Sequence, residues 1–338
     1  MSSDFYRAEP AAQTSWRLAV LMGANSHTLK FALGAALLEL AAEGRTEVGL
    51  DELAVPCAMG LLRHLASAPQ AQLGTADGPS DLLAVAARES AQSLALGLPT
   101  DELRYATVRS LPATALRRFH HLGDGSELPH RFYQVTGSPS SRTVGLTPEL
   151  LVVAHCEQAP NLRAELDARW RIVESSFDAE VGRSLVEEGF AVDSQALGLT
   201  DRFRRRPVAG LSAALIGFQH GRCQICGDAV TPADSTAVDH VFPLSLMARA
   251  NPASAWNGPD LDAVWNLAPA HAACDDAKGD RLPNATELQR LARRNEAVMQ
   301  SPYPLRKTLQ RPLQQARING EHADRWPTFL LQVLKSCR

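Results

Sequence analysis

The stretch WNLAPAHAACDDAKGDRLP, residues 265–283, contains the most informative spacing in this chain. Within it His271 and Cys274 are separated by two residues, and Asp275 follows directly. An earlier pair with the same spacing, Cys223 and Cys226, is followed by a glycine. This spacing lets both side chains of a pair face one ion, and the glycine relieves the backbone where the chain turns away. The two pairs together predict a metal site.

Four ligands of this kind match a tetrahedral structural zinc site of the Cys₃His type. A histidine can replace a cysteine because neutral imidazole nitrogen and thiolate sulfur are both normal zinc ligands. The alternatives are a redox Cys-x-x-Cys, which would need a thioredoxin-like βαβ context, or unrelated thiols. The predicted zinc ligands are Cys223, Cys226, His271 and Cys274, and the other three cysteines are expected to be buried or idle thiols.

Length and charge favour two domains. A chain of 338 residues exceeds one average domain. Residues 1–200 carry 16 Lys and Arg against 24 Asp and Glu, whereas residues 201–338 carry 18 against 13. The halves therefore have net charges of −8 and +5, and only the second half has electrostatics suited to a polyanion. This contrast predicts a domain boundary near residue 200.

The first half is predicted to be mainly α-helical. Apolar residues recur at helical spacing over residues 27–44, 50–66, 81–96, 101–121, 148–158 and 161–189. Two short runs rich in β-formers, 131–136 and 142–146, flank a turn and predict a hairpin. No apolar run approaches the ~20 residues of a membrane span, and no segment has the order of a signal peptide. We therefore expect a cytoplasmic protein with no membrane contact.

Further motifs lie around and between the two metal pairs. Asp239 and His240 are followed by Pro243, the run Trp265-Asn266-Leu267 precedes the second pair, and KGDRLP follows it as residues 278–283. In this order the elements resemble the HNH endonucleases, the ββα-metal nucleases, in their zinc-knuckle form. The resemblance covers about residues 205–295 and does not extend to the first 200 residues. Families with this nuclease at the C-terminus often belong to bacterial restriction or anti-phage defence systems.

The resemblance implies roles for individual residues. By the family's mechanism His240 is the general base, and the ordinary pKa of histidine, near 6.5, suits that work at neutral pH. Asp239 and Asn266 would hold one catalytic divalent ion, for which hard oxygen donors are appropriate, with Mg²⁺ expected and Mn²⁺ as a substitute. Asp275 stands where the family has Asn or His. It would join the metal, or it is simply an acidic residue in the first turn of a helix.

Basic residues near these motifs are expected to contact phosphate. As a plain solvated face they would need no function, but beside a nuclease they form a credible surface for the DNA backbone. The helix after residue 283 is predicted to start with a capping box formed by Thr286 and Gln289. The predicted nucleic-acid contacts are Lys278, Arg281, Arg290, Arg293, Arg294, Arg204, Arg205 and Arg206.

The expected fold class is α+β. A mainly α-helical domain over residues 1–200, which binds a partner or regulates, precedes an HNH nuclease domain over residues 201–338 with a core at 205–295 and a C-terminal helical extension. The expected function is a metal-dependent DNA endonuclease that nicks one strand per active site and serves bacterial defence. One alternative is a catalytically inactive, zinc-stabilised nucleic-acid-binding module. Another is a partner-binding scaffold in the first domain, with the nuclease as its effector.

Overall fold

The structure is a computed structural model, and it describes residues 2–23, 28–67, 70, 82–122, 125–138, 141–177, 191–193, 198–200, 207–248, 256, 258–301, 305–319 and 324–337. Its contacts divide the chain into two compact units, Ser2–Gly182 and Arg183–Arg338. Helices occur together with small antiparallel sheets, which makes the fold α+β. Among the described helices, none is both long enough and apolar enough to cross a membrane. The predicted domain ranges, 1–200 and 201–338, stay predictions.

The first unit, Ser2–Gly182, is mostly helical. A π-helical turn, Leu18–Met22, continues its second helix. The described elements are α1 Ser2–Ala8, α2 Ala12–Arg17, α3 Leu29–Ala42, β1 Glu47–Gly49, α4 Leu50–Leu65, α5 Leu82–Leu96, α6 Asp101–Ala113, α7 Ala115–Arg118, β2 Tyr133–Thr136, β3 Thr143–Leu146, α8 Pro148–His155 and α9 Ala159–Phe177.

Helix α3 lies at the centre of this unit. Most of its side chains are buried, and it packs against α4, α7, α8 and α9. Beside it Trp16, Phe119 and Phe132 form an aromatic cluster, with the rings of Trp16 and Phe132 meeting edge to face at 5.1 Å. Strands β2 and β3 form an antiparallel hairpin at the two runs rich in β-formers, and β1 pairs with the other edge of β3. An apolar helix surrounded by helices is the arrangement expected when hydrophobic residues cover both of its faces.

A histidine in this unit is held between two acids. The ring of His64 stacks on that of Trp170, with centroids 3.6 Å apart and planes 4° from parallel. Its Nε2 lies 3.3 Å from Oδ1 of Asp167, and its Nδ1 contacts the carboxylate of Glu174. Burial acts to lower the pKa of His64, but the hydrogen bonds to these carboxylates outweigh burial and raise that pKa above 6.5. The folded state therefore favours the charged form of His64 more than the unfolded state does.

The second unit, Arg183–Arg338, contains the metal-ligand motifs. A three-stranded antiparallel sheet in the order β4-β5-β6 precedes them. Its described elements are β4 Ala191–Asp193, β5 Gly198–Thr200, β6 Pro207–Gly210, α10 Leu211–Phe218, β7 Thr236–His240, α11 Ser245–Ala248, β8 Leu267–His271, α12 Ala272–Lys278, α13 Ala285–Gln300, α14 Leu305–Gln315 and α15 Arg325–Ser336.

Two strands and one helix form the centre of this unit. Strands β7 and β8 pair antiparallel, with Asp239 opposite Ala268 and His240 opposite Leu267. Helix α12 begins where β8 ends and packs back against both strands, which gives a ββα arrangement. Helix α10 packs against β8 and α13. The sequence motifs therefore meet at the ends of β7 and β8 and along α12.

Two local predictions in this unit are wrong. Pro207, which the run DRFRRRP ahead of an apolar stretch predicts as the first residue of a helix, instead begins strand β6, and the helix starts only at Leu211. The capping box of α13 is formed by Asn284 and Glu287 and not by Thr286 and Gln289. Asn284 Oδ1 accepts the N–H of Glu287, and the Glu287 carboxylate accepts the N–H of Asn284. The helix therefore starts one residue earlier than Thr286, directly after this N-cap. Of the helix predicted at 161–189, the structure describes α9 up to Phe177.

Candidate functional site

The four predicted zinc ligands lie together. Their ligand atoms are all within 4.8 Å of one another. Among the described residues, these four form the cluster of His, Cys, Asp or Glu side chains that could hold a metal ion. Nδ1 of His271 lies 3.4 Å from Sγ of Cys226 and 3.8 Å from Sγ of Cys274. Two sequence-distant pairs thus converge to form a Cys₃His cluster able to bind a metal ion.

The surroundings of the cluster orient its ligands. Nε2 of His271 lies 3.2 Å from the carbonyl oxygen of Ala229, so Nδ1 is the nitrogen that faces the thiols. The backbone N–H groups of Ile225 and His271 each donate to Sγ of Cys223 at 3.4 Å. A fixed imidazole orientation and N–H donors to sulfur are typical of the surroundings of metal ligands.

The thiols also affect each other's ionisation. Burial acts to raise the pKa of Cys223, but backbone N–H groups donating to its sulfur outweigh burial and lower that pKa. The pKa of Cys226 is raised to about 12, by burial first and then by the neighbouring Cys223. Two thiolates this close repel each other, and a bound divalent cation removes that penalty. The donor set therefore fits a cation.

An arginine holds the first pair from the side of α13. Nη1 of Arg290 donates to the carbonyl oxygens of Gln224 at 3.0 Å and Ile225 at 2.6 Å, and Nη2 donates to that of Cys226 at 3.2 Å. Gly227 has a φ of 87°, and its missing Cβ would lie 2.4 Å from Nη2 of Arg290. Glycine is required there both by the left-handed backbone and by the close guanidinium. Arg290 thus stabilises the turn that carries two of the ligands.

A second polar cluster lies at the end of β7. The carboxylate of Asp239 is buried, and its Oδ1 accepts a hydrogen bond from Nζ of Lys278 at 2.6 Å. Its Oδ2 is also buried and has no hydrogen-bond partner among the described residues. Burial raises the pKa of Asp239 to about 6; Lys278 opposes this shift and the nearby carboxylate of Asp275 adds to it. Asp239 and Asp275 therefore form a pair of neighbouring carboxylates.

His240 is held by a different acid. Its Nε2 lies 2.9 Å from Oδ1 of Asp262, and its side chain is 26% exposed. Asp262 belongs to the turn that precedes β8. Sequence reasoning missed this residue because nothing in the run PDLDAVW distinguishes Asp262 from Asp260. Only the folded turn brings Asp262 to the end of β7.

The structure places Asn266 differently from the prediction. Its side chain is fully buried, and Oδ1 accepts the N–H of Phe242 at 2.8 Å. Its Nδ2 donates to the carbonyl oxygens of Phe242 and Leu261, each at 2.8 Å. An amide engaged by the backbone in this way connects the ends of the two strands, and both its oxygen and its nitrogen are occupied by backbone groups. Asn266 thus has the setting of a positioning residue, and the predicted metal contact of Asn266 is not supported by this geometry.

Of the five predicted phosphate contacts that the structure describes, four are engaged by other groups of the protein. Lys278 is buried in its ion pair with Asp239, and Arg294 is 2% exposed, donating to the carbonyl oxygens of Leu267 and Trp265. Their assignment to nucleic acid is corrected on that ground, because a buried, paired cation does not reach a phosphate. Arg281 binds both carboxylate oxygens of Glu287, at 2.8 and 2.5 Å.

Arg293 has the exposed position that the prediction requires. It lies exposed on α13, on the side away from the buried Leu291. Arg290 is engaged by the turn of the first cysteine pair, as described above. Arg204, Arg205 and Arg206 lie outside the described residues. Among the described members of the predicted surface, Arg281 and Arg293 are exposed.

Comparison with known proteins gave no match. No protein-family model matches the chain, no curated protein resembles it significantly, and no solved structure does so either. What is established is the chain's α+β fold and its Cys₃His cluster.

Proposed function

We propose that the second unit is a metal-dependent DNA endonuclease of the HNH type. The observation that carries the proposal is the placement of Asp239, Asp275 and His240 around one ββα arrangement whose helix also carries a ligand of the Cys₃His cluster. Strand β7 supplies the first acid and the histidine, and α12 supplies the second acid. Asp239 and His240 are residues that the resemblance also names, whereas Asp275 takes the place that the resemblance gives to Asn266.

The carboxylate pair fits a hard divalent ion. Oδ2 of Asp239 is buried without a hydrogen-bond partner among the described residues, and a second carboxylate lies beside it. Mg²⁺ is usually held by one or two carboxylates, with water and substrate phosphate completing its coordination. We assign Mg²⁺ or Mn²⁺ to Asp239 and Asp275 rather than to Asn266. When bound, the ion would stabilise the charge that develops on the phosphate.

The remaining steps belong to the chain's own residues. His240 takes a proton from the attacking water, whose oxygen forms the new bond to phosphorus as the bond to the 3′ oxygen breaks, and the 3′ oxygen gains a proton from solvent water. Asn266 holds the two strand ends in register, so that the carboxylates and His240 stay in place. One such centre per chain predicts nicking of one strand. The DNA partner and a role in bacterial defence belong to the same proposal.

The Cys₃His cluster is assigned a structural role. Zn²⁺ is the ion that this donor set prefers, and four protein ligands leave no open position for substrate. The cluster connects the turn at Cys223 and Cys226 to the start of α12, which carries Asp275. Zinc would therefore support the carboxylate pair from a distance.

A catalytically inactive, zinc-stabilised nucleic-acid-binding module is the second candidate. The observation that favours it is the ion pair of Lys278 with Asp239, because an ammonium group already neutralises the carboxylate that should bind the catalytic ion. The first unit, on either proposal, would bind a protein partner or regulate the second. Cleavage of DNA by the wild-type protein distinguishes the two candidates, because only the endonuclease would cleave it.

The test incubates supercoiled plasmid with the full-length wild type and with His240→Ala, in Mg²⁺ or Mn²⁺ and after chelation. The wild type should produce nicked circles, and His240→Ala should be slower by about 10²- to 10⁴-fold. His155→Ala, which removes an exposed histidine of the first unit, is the matched control and should cleave normally. No cleavage by the wild type, or equal cleavage by His240→Ala, contradicts the endonuclease and leaves the binding module.

A further inference from the structure

The contact between His240 and Asp262 has a consequence for the chemistry of the histidine. A carboxylate only accepts hydrogen bonds, so the short contact of 2.9 Å requires a proton on Nε2 of His240. A neutral imidazole carries a single N–H, which leaves a lone pair on Nδ1. The Asp262 contact therefore selects one tautomer, and Nδ1 is the nitrogen able to take a proton.

The turn that carries Asp262 is held in several places. The backbone N–H of Asp262 donates to Oδ1 of Asp260 at 2.9 Å, and Nε1 of the buried Trp265 donates to the carbonyl oxygen of Asp260 at the same distance. Asn266 holds the carbonyl oxygen of Leu261 at 2.8 Å. Side-chain and backbone hydrogen bonds on both sides of Asp262 thus fix its position.

We infer that Asp262 is a positioning residue that orients the ring of His240 and stabilises the imidazolium formed during the reaction. This inference rests on the proposed endonuclease function. The proton taken from water goes to Nδ1, the existing proton stays on Nε2, and the Asp262 carboxylate balances the new positive charge. An acid behind a catalytic histidine acts in this way in hydrolases of unrelated folds.

Asp262 carries this role better than the other acids nearby. Asp239 is engaged by Lys278, and Asp275 lies beside Asp239. Asp260 uses its carboxylate on the backbone of the turn. Among the described residues, the Asp262 carboxylate is the acid within hydrogen-bond distance of the His240 ring.

The first test measures single-turnover cleavage and DNA affinity separately in the full-length protein. Asp262→Ala should lower the cleavage rate constant by about 10- to 100-fold while the Kd for DNA changes little. Asp262→Asn keeps the shape of the side chain and loses its charge, so it should also cleave more slowly than the wild type. It serves as the second variant if Asp262→Ala folds poorly. Asp262→Glu should restore part of the rate. Asp276→Asn, which removes an exposed charge on α12, should cleave normally.

A double-mutant cycle then distinguishes positioning from a separate role. If Asp262 acts only through His240, then His240→Ala with Asp262→Ala should cleave no more slowly than His240→Ala alone. A further loss in the double variant overturns the inference, as does cleavage by Asp262→Ala and Asp262→Asn at the wild-type rate.

A spectroscopic readout is independent of cleavage. In protein labelled with ¹⁵N-histidine, the Nε2–H proton of His240 should give a resonance protected from exchange, assigned by its loss in His240→Ala, and absent in Asp262→Ala. Its absence from the wild type overturns the inference. If the resonance is present but the wild type cleaves no DNA, the endonuclease proposal fails and the positioning role fails with it, whereas an unchanged rate in Asp262→Ala overturns the positioning role alone.

Discussion

Nζ of Lys278 donates to Oδ1 of Asp239 at 2.6 Å and to the carbonyl oxygen of His240 at 2.9 Å. The two charged side chains are 1% and 4% exposed. One ammonium group therefore connects α12 to the last two residues of β7. A buried ion pair of this kind contributes little to stability relative to an apolar pair of similar volume. Removing one partner, however, leaves the other charge buried and unpaired.

Lys278→Met should accordingly destabilise the second unit by about 3–5 kcal/mol, because Asp239 would be left buried and unpaired. Urea denaturation followed by hydrogen exchange of β7 and α12 measures this loss. The double variant Asp239→Asn with Lys278→Met should recover part of the stability, since no charge remains buried. An unchanged midpoint for Lys278→Met would contradict the role given to this pair.

Asn266→Ala should destabilise the protein even in metal-free buffer. Each backbone group that loses its amide partner in the buried site costs about 1–3 kcal/mol. Asn319→Ala, at an exposed position, should stay within about 0.5 kcal/mol of the wild type. A variant that is fully stable without metal, yet binds Mn²⁺ more weakly, would instead restore Asn266 as a ligand.

Removal of zinc should loosen α12 before it affects the first unit. We expect about one zinc per chain by elemental analysis, and loss of amide protection in α12 after chelation, because Cys274 lies within that helix. Cys226→Ser should lower the zinc content at limiting metal. Cys337→Ser, outside the cluster, should retain it. A protein that contains no zinc and still shows amide protection in α12 would contradict this prediction.

Two neighbouring arginines should behave in opposite ways if the second unit binds DNA. Arg293→Ser should weaken DNA binding across sequences and reduce the salt slope by about one, with little effect on stability. Arg294→Ser should instead destabilise the fold by about 1–3 kcal/mol, because buried carbonyl oxygens of Leu267 and Trp265 lose their donor. Filter binding at several salt concentrations and urea denaturation separate the two effects. Equal effects of both variants on DNA binding would contradict this assignment.

The first unit should lose stability as the pH rises from neutrality. The pKa of His64 is raised in the folded state by Asp167 and Glu174, so the folded state binds the proton more tightly than the unfolded state does. The stabilisation is complete below about 6.5, the ordinary value, and is lost as the pH rises through the raised pKa. Urea midpoints of the wild type should fall over this range. His64→Gln should be less stable at low pH and flatter with pH; an equally steep fall in that variant would exclude His64 as the cause.

The sequence predicted those features that depend on local spacing. The two ligand pairs, the β2–β3 hairpin region and most helices of the first unit follow from periodicity or from the identity of a few residues. Pro207 was misassigned because proline at a first position suits a helix and an edge strand equally. The capping box was misplaced because Asn284 with Glu287 and Thr286 with Gln289 both match the pattern, and only backbone geometry selects one.

Long-range contacts account for the rest of the site. Asp262 meets His240 across 22 residues, and Lys278 meets Asp239 across 39. Neither separation is visible as a pattern, since each depends on how β7 and β8 pair. In the sequence Arg290, Arg293 and Arg294 form one basic run. In the folded protein Arg290 binds the turn at Gly227, and Arg294 faces the interior and donates to the backbone.

The separation of the two ligand pairs along the chain also determines when the cluster can form during translation. Cys226 and His271 are 45 residues apart, and at translation rates of about 5–20 residues per second the second pair emerges roughly 2 to 9 seconds after the first. The first pair alone offers two thiols, too few for a stable tetrahedral ion. The cluster closes only once the nascent chain has reached Cys274, and Asp275 is the very next residue to be added. On the proposed function, a nascent chain that ends before Asp275 lacks one of the two carboxylates and would therefore not cleave DNA.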